Sequence, residues 1–422
     1  MLKNAKRACC RGLEVDGWGK IRNFTDYFKD IRLFSIGLSL FEVCLALNFY
    51  IIFDFIMEQD KKIKVGITHG DINGIGYEIL LKALGDPRIV ELCTPVVYGS
   101  VKIAGFYRKN LGLPEFKLFQ IENADDARDD QVNIINVVPE DTKIEPGQAT
   151  PVAGAAALEA LKRAAADLRS GEIDVLVTAP INKHSIHSEN FNFPGHTEFL
   201  EAEVGEGKKA MMIMCSENLR VALVTIHDAI SDVASKITRE AVLERLSTFN
   251  RSLVEDFGIH GPRIAVLSLN PHAGDNGVIG TEDTDIIAPA IEEANKRRIM
   301  AFGPYPADGL FGSGAYTKFD GILAMYHDQG LIPFKLLASE NGVNFTAGLP
   351  VVRTSPDHGT AYDIAGQGVA DEQSFREAIY SAIDIYRNRR REREATRHPL
   401  RKQNYDKGSD KLPAEPKDDL KE

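Results

Sequence analysis

The run RVALVTIH at residues 220–227 leads into the amphipathic stretch ITREAVLERLSTFNRSLVEDFG at 237–258, and a second apolar run, RIAVLSLNPHAG, follows at 263–274. Continuous Val, Ile and Leu runs are typical of strands that are buried on both faces. Strands that alternate with helices predict a mostly parallel sheet with helices on both sides. This stretch therefore predicts an α/β fold.

The same alternation extends through the rest of the chain. Further apolar runs are KVGIT at 64–68, PVVYG at 95–99, DVLVTAP at 174–180 and FDGILAMYHDQG at 319–330. Helical patterns stand between these runs, and REAIYSAIDIYRNR at 376–389 predicts a final helix.

Length and composition restrict the class of protein. The 422 residues are enough for two or three domains, and 44% hydrophobic with 26% charged residues is ordinary for a globular protein. A formal net charge of −11 argues against a nucleic-acid partner, which needs a basic surface. Five Cys, few and odd in number, argue against a disulfide-stapled secreted scaffold.

Residues 1–56 differ in composition from the rest of the chain. The apolar run at 33–57 is long enough to cross a bilayer, which needs ~20 residues, so one interpretation is a membrane anchor. The other is that translation starts at Met57, because a strand begins almost at once and Glu42 weakens the span. We favour the second interpretation. It makes 1–56 a non-native or disordered extension of a cytoplasmic protein without a membrane partner.

The other end of the chain, residues 390–422, is charged and almost free of apolar residues. Such a segment cannot bury enough surface to offset the entropy lost on ordering. We expect a disordered tail there, which leaves residues 57–389 as the working body.

Three apolar runs stop at a histidine: His227, His272 and His327. The carboxyl ends of parallel strands meet at one edge of a sheet, where ligands bind. Three imidazoles with open positions suit a catalytic divalent metal such as Zn²⁺, although Ni, Co and Fe fit as well. The chain has ten His, and any one taken alone is more often structural or solvated than a ligand.

Two further clusters are candidates for binding an anion. In FPGHTEFLE at 193–201, a Pro-Gly turn precedes a helix start, so His196 and Thr197 are placed to contact a phosphate, although an ordinary helix cap has the same pattern. Lys335, Asn344 and Arg353 lie among apolar residues, which favours anion binding in a pocket over a surface charge.

The cofactor signal is indirect. The sequence contains neither GxGxxG nor GxxxxGK[ST], which argues against a Rossmann dinucleotide site and a P-loop kinase. The segment DHGTAYDIAGQGVAD at 357–371 combines a Gly-rich loop with a turn of helix and is the best candidate.

Seven motifs occur in one order between about Lys64 and Arg387: ITHGDINGIGYEILLKAL, TAPINK, FPGHTEFLE, NPHAGDNG, GPYPADGLF, AMYHDQGL and GLPVVRTSPDHGTAYDIAGQG. Together they closely resemble the 4-hydroxythreonine-4-phosphate dehydrogenase family of pyridoxal-phosphate biosynthesis. The resemblance implies a fold similar to that of isocitrate and isopropylmalate dehydrogenases, with two subdomains and the active site in the cleft. Two departures are Asp71-Ile72-Asn73, where the family usually has Asp-Pro-Ala, and Asp275, where it usually has Glu.

The resemblance also implies cofactors and partners. It implies a homodimer with the active site at the interface, and a divalent metal (Zn, or Mg/Co) on three His, one of them from the partner subunit. These His are His227, His272 and His327. The implied contacts with a small phosphorylated substrate are His196, Thr197, Lys335, Asn344 and Arg353. NAD would lie along the loop Asp357–Gly368, at His358, Gly359, Thr360 and Ala361.

The implied reaction is the NAD-dependent oxidation of 4-phosphohydroxy-L-threonine, followed by decarboxylation to 3-amino-2-oxopropyl phosphate. Lys335 is the candidate to assist proton transfer. One alternative is the same chemistry on a phosphorylated four-carbon sugar acid, threonate or erythronate 4-phosphate. Another is a phosphotransacetylase-like acyltransferase, which would not need the three His. A membrane-tethered binding protein would depend on residues 33–57 alone.

Overall fold

The computed structural model describes residues 62–113, 116–186, 193 and 195–397. The predictions for residues 1–56, and for the tail beyond Arg397, lie outside this part of the chain. Within it, no helix combines the length and the apolar character that a membrane span needs. The described residues form one compact unit.

Twelve strands form a single sheet in the order β3-β4-β2-β1-β5-β12-β11-β6-β7-β10-β8-β9. The strands are β1 Ile63–Thr68, β2 Cys93–Gly99, β3 Leu118–Ile121, β4 Val132–Asn136, β5 Val175–Thr178, β6 Met211–Cys215, β7 Arg220–Leu223, β8 Arg263–Leu267, β9 Met300–Tyr305, β10 Gly321–Ala324, β11 Val343–Ala347 and β12 Arg353–Pro356. Only the ladders of β11 with β12, β11 with β6, and β6 with β7 are antiparallel; the other eight are parallel. The predicted mostly parallel α/β sheet is confirmed.

Helices cover the sheet. They are α1 Gly76–Leu84, α2 Arg88–Leu92, α3 Val101–Asn110, α4 Pro151–Ser170, α5 Lys183–Ile186, α6 His196–Val204, α7 Ile230–Lys236, α8 Arg239–Glu255, α9 Ala288–Lys296, α10 Ala307–Gly312, α11 His327–Leu337 and α12 Gln373–Arg397. Short 3₁₀ turns span Ala124–Asp126 and Ala315–Lys318, and a π turn, Asp283–Ile287, precedes α9.

The ends of the long helices are determined by local sequence. At α4 the Thr150 hydroxyl accepts a hydrogen bond from the Ala153 N–H, Pro151 occupies the first turn, and Gly171 closes the helix in the left-handed conformation. Thr238 caps α8 in the same way, through the Ala241 N–H. These caps fix where the chain returns to the sheet.

The last helix is longer than predicted. It continues through residues 390–397, where the sequence favoured a disordered tail. The charged residues there pair along the helix, with Arg390 Nε 3.2 Å from Glu394 Oε1. The residue immediately before Arg390, the buried Arg389, forms an ion pair with Asp256. Charge in this segment therefore supports an exposed helix end.

The strands β11 and β12 lie in the middle of the sheet, although their sequences, VNFTA and RTSP, do not read as core strands. β12 runs parallel to β5, and β11 runs antiparallel to both β12 and β6. Because polar side chains enter the sheet here, this junction is where the two halves of the sheet can form a binding cleft.

Candidate functional site

A cleft of about 240 Å³ lies where β5, β11 and β12 meet the start of α6. Its lining includes seven residues that the sequence singled out: His196, Thr197, His227, Asn344, Arg353, His358 and Gly359. The lining lacks five other residues that the sequence singled out: Lys335, His272, His327, Thr360 and Ala361. Lys183 and Glu198 line the cleft as well, and the sequence offered a signal for both, because one lies just after the end of β5 and the other opens α6.

Arg353 is the first residue of β12 and is only 3% exposed. Its Nε and Nη2 donate hydrogen bonds to the Thr178 hydroxyl at 3.1 and 2.6 Å, and its Nη1 donates to the Thr346 hydroxyl at 3.1 Å. Burial lowers the pKa of the guanidinium to about 9, which leaves it charged at neutral pH. No carboxylate of the described residues forms an ion pair with it. The Glu198 carboxylate lines the same cleft and opposes the fall in the pKa of Arg353, but it forms no ion pair with it. A buried cation without a direct ion pair is costly, so the cleft is suited to an anionic ligand.

Three polar atoms in the same cleft are buried and have no hydrogen-bond partner among the described residues. They are His196 Nε2, Asn344 Oδ1 and His358 Nε2. Burial and the nearby Arg353 guanidinium hold the pKa of His196 well below its usual range, so its ring is neutral and one nitrogen carries the only N–H. Buried polar atoms in native proteins are normally paired, and a bound ligand would supply these partners.

The start of α6 adds backbone donors. Gly195 precedes the helix and contributes no side-chain cap, so N–H groups of the first turn are left without a capping side chain. The positive end of the helix dipole lies at the same place. His196 and Thr197 therefore combine side chains with a helix N-terminus, and Arg353 and Asn344 face the same cleft.

Two of the three predicted metal ligands lie near each other. β7 and β10 are neighbouring parallel strands, and the rings of His227 and His327, which come just after them, have centroids 6.1 Å apart. Burial and the nearby Lys183 lower the pKa of His227, with Glu198 opposing them, so the neutral ring is favoured, as a metal ligand requires.

His272 is placed differently. It lies after β8, on the far side of β10, and is exposed in an irregular turn, Pro271–Gly277. Residues 272–276 all have positive φ, from 44° to 79°. L-residues rarely adopt this conformation in succession, so the turn is strained. Among the described residues of one chain, no three His, Cys, Asp or Glu side chains form a group that could hold a metal. The three-His site therefore stays a prediction that needs a second subunit.

Lys335 lies on α11, outside the cleft, and about half of its side chain is exposed. Its Nζ is 3.2 Å from Asp357 Oδ1 and donates to the Asp357 carbonyl at 3.1 Å. Burial raises the pKa of Asp357, although Lys335 opposes the shift. Because Asp357 precedes His358, this ion pair joins α11 to the edge of the cleft.

The predicted cofactor loop, Asp357–Gly368, packs against the Gly-rich loop after β1. The Ile75 N–H donates to the Thr360 carbonyl at 3.0 Å. A Cβ added at Gly74 would lie 2.7 Å from that carbonyl oxygen, so the close approach requires glycine. His358 and Gly359 reach the cleft, while Thr360 and Ala361 lie behind it. The loop thus has one end in the cleft and its middle against the β1 loop.

Comparison with known proteins gives a consistent result. A family model described as pyridoxal phosphate biosynthetic protein PdxA matches residues 91–382. A 4-hydroxythreonine-4-phosphate dehydrogenase of Bacteroides thetaiotaomicron is 56% identical, over 84% of this chain and 98% of its own length. A D-threonate 4-phosphate dehydrogenase of Cupriavidus necator is 40% identical, over 76% of this chain and 95% of its own.

Solved structures agree with these relatives. The crystal structure of a 4-hydroxythreonine-4-phosphate dehydrogenase from Klebsiella pneumoniae superposes with a TM-score of 0.68, at 33% identity, over 78% of this chain and 98% of that one. The chain therefore belongs to the PdxA family of pyridoxal phosphate biosynthetic proteins, which is the family that the ordered motifs predicted.

Proposed function

We propose that this chain catalyses the NAD-dependent oxidation of 4-phosphohydroxy-L-threonine and the decarboxylation of the product to 3-amino-2-oxopropyl phosphate, a step in pyridoxal 5'-phosphate biosynthesis. The observation that carries the proposal is the buried Arg353, without a carboxylate partner, beside the unpartnered His196 Nε2 and Asn344 Oδ1. A phosphate would pair with the cation and accept a hydrogen bond from the imidazole. Thr197, at the start of α6, contributes a further donor.

The reaction needs a second set of groups for the hydroxy acid. We assign His227 and His327 of one subunit, with His272 of the partner subunit, as ligands of a divalent metal, Zn or Mg/Co. Three imidazole ligands fit such an ion. When bound, the metal would polarise the substrate hydroxyl and stabilise the negative charge that develops on that oxygen.

The assignment requires a homodimer with the active site at its interface. Exposed apolar side chains lie on the elements that carry the ligands, which supports this arrangement. Ile332 and Leu336 on α11 are 58% and 78% exposed, and Val278, next to the His272 turn, is 81% exposed. A second copy that covers these side chains would bring its His272 towards His227 and His327. Contact with a second copy would also explain why the turn at residues 271–277 is held in a strained conformation.

In the proposed redox step, NAD⁺ is the oxidant and takes up the two electrons that the substrate loses. NAD⁺, when bound, would accept a hydride from the hydroxyl-bearing carbon; the hydroxyl would lose its proton, which would leave a ketone next to the carboxylate-bearing carbon. Loss of CO₂ leaves an enolate, which is protonated to the amino ketone. In its unprotonated form, Lys335 is the candidate to accept the hydroxyl proton, since its contact with Asp357 holds it beside the cofactor loop. NAD would lie along Asp357–Gly368.

The same residues fit a second substrate. D-threonate 4-phosphate carries a hydroxyl where 4-phosphohydroxy-L-threonine carries an amine, and a relative at 40% identity bears that name. The phosphate contacts and the redox chemistry would be shared. Because NAD and both substrates belong to the cytoplasm, we place the enzyme there. We also propose that the body forms two subdomains with the active site in the cleft between them.

The experiment that tests the proposal is NADH formation from a panel of substrates. The proposal expects the highest kcat/KM with 4-phosphohydroxy-L-threonine and turnover only when a divalent metal is present. A higher kcat/KM with D-threonate 4-phosphate or D-erythronate 4-phosphate would select the alternative. Acetyl transfer from acetyl phosphate to coenzyme A, without NADH formation from any member of the panel, would contradict the proposal.

A further inference from the structure

Asn73 lies in the Gly-rich loop after β1, is fully buried, and has no part in the proposed chemistry. Its Oδ1 accepts a hydrogen bond from the Glu145 N–H at 2.7 Å. Its Nδ2 donates to the Gln148 carbonyl at 2.9 Å and to the Thr150 hydroxyl at 3.1 Å. Its own carbonyl accepts the Gly147 N–H at 2.8 Å. One side chain thus fixes the segment 145–150, which leads into α4.

That segment lies against the cofactor loop. A Cβ added at Gly147, which has a φ of +82°, would be 3.0 Å from the Tyr362 carbonyl oxygen. A Cβ added at Gly366 would be 3.3 Å from the Pro146 Cβ. The segment 145–150 therefore supports the loop at two points, near its middle and near its end.

The loop is held on its other side by the residues around Asn73. Asp71, also buried, accepts a hydrogen bond from the Tyr362 hydroxyl at 2.7 Å and from the Ser185 hydroxyl at 3.2 Å. The Asp71 Oδ1 accepts the Asn73 N–H at 2.9 Å. Asp71 and Asn73 together connect the segment 145–150, the residues after β5 and the cofactor loop.

We propose that Asn73 is a positioning residue for the dinucleotide loop. It touches neither cofactor nor substrate, and it acts by holding the segment 145–150 behind residues 362–366. Without its side chain, the loop would sample conformations that do not bind the dinucleotide, and the apparent affinity would fall by the fraction of the competent state. This proposal rests on the proposed function, because it takes NAD as the ligand of the loop.

The test compares N73A with N133A. Asn133 on β4 is a matched control, because it is equally buried and its Nδ2 donates to the carbonyls of Pro95, Arg128 and Gln131. Both variants should lower Tm. Only N73A should raise the Kd for NADH, measured by fluorescence titration, and the KM for NAD, each by about fivefold or more. The KM for the phosphorylated substrate and kcat at saturating NAD should change by less than about twofold in both variants.

An NADH Kd in N73A equal to that of wild type, with Tm lowered as in N133A, would reduce Asn73 to a structural residue and overturn this proposal alone. Wild-type protein that binds no NADH would overturn the proposed function and this proposal with it. If N73A fails to fold, N73S serves instead, because a serine hydroxyl keeps a polar group in the loop but cannot replace all three side-chain hydrogen bonds to Glu145, Gln148 and Thr150.

Discussion

Replacement of Arg353 by Ala should abolish most of the affinity for the substrate phosphate. The guanidinium has five N–H donors. Three of them are used by the hydroxyls of Thr178 and Thr346, which leaves one on Nη1 and one on Nη2 for the ligand. Hydrogen bonds to a charged partner contribute roughly 1.5–3 kcal/mol each. The KM for the phosphorylated substrate should therefore rise by ~10²-fold or more, since ~1.4 kcal/mol corresponds to tenfold.

The assay is steady-state NADH formation with each substrate varied in turn. The KM for NAD should change much less, because Arg353 lies in β12 and its side chain contacts Thr178 and Thr346, not the cofactor loop. Inorganic phosphate should raise the Tm of wild type but not that of R353A, which reads out binding independently of turnover. An equal rise in both KM values would place Arg353 at the cofactor instead. An unchanged KM for the phosphorylated substrate would contradict the assignment of Arg353 to the phosphate.

The structure supports three further predictions. Because His272 is assigned to the partner's site, H272A and H327A should each be inactive alone. When the two variants are mixed, each heterodimer has one complete site, so the mixture should recover about a quarter of wild-type activity. No recovery on mixing would contradict the shared site. K335A should lower kcat by ~10²-fold or more and change the KM for NAD by only a few fold, because it removes a proton-transfer group. A kcat near that of wild type would show that Lys335 has no catalytic role. Burial lowers the pKa of His69 to about 4. The free energy of unfolding that depends on the neutral His69 is therefore fully present above the unfolded-state pKa of ~6.5, and it falls by up to ~3 kcal/mol as the pH drops from there towards 4. In urea unfolding, H69F should lack this loss, and a pH dependence identical to that of wild type would contradict the assignment.

The parts of the fold that sequence could predict are those dominated by burial. β5, β7, β8 and β10 fall within the predicted apolar runs, and β1 and β2 overlap theirs but begin at Ile63 and Cys93, slightly earlier than predicted. Strands covered on both faces must be apolar, which is why these runs could be found. β3, β4, β6, β9, β11 and β12 were not predicted. For β11 and β12 the reason is that they bring Asn344 and Arg353 into the middle of the sheet. The polar residues that give these two strands their proposed role also interrupt the apolar pattern by which a buried strand is predicted.

The candidate site could be predicted in part. His196 lies far in sequence from Asn344 and Arg353, and all three line one cleft. The position of His272 could not be inferred, because the left-handed turn that carries it depends on contacts rather than on propensity. The support of the cofactor loop by Asp71 and Asn73 was equally hidden, since it depends on hydrogen bonds between segments distant in sequence.

The most direct test of the proposed function is the stoichiometry of a single turnover. Wild-type enzyme, loaded with a divalent metal and NAD, would be mixed with a limiting amount of 4-phosphohydroxy-L-threonine, and NADH and CO₂ would be measured together. The proposed reaction predicts one NADH and one CO₂ for each substrate molecule consumed, with both formed ~10²-fold or more slowly by R353A at the same limiting substrate concentration. NADH without CO₂, or neither product from the wild-type enzyme, would contradict it.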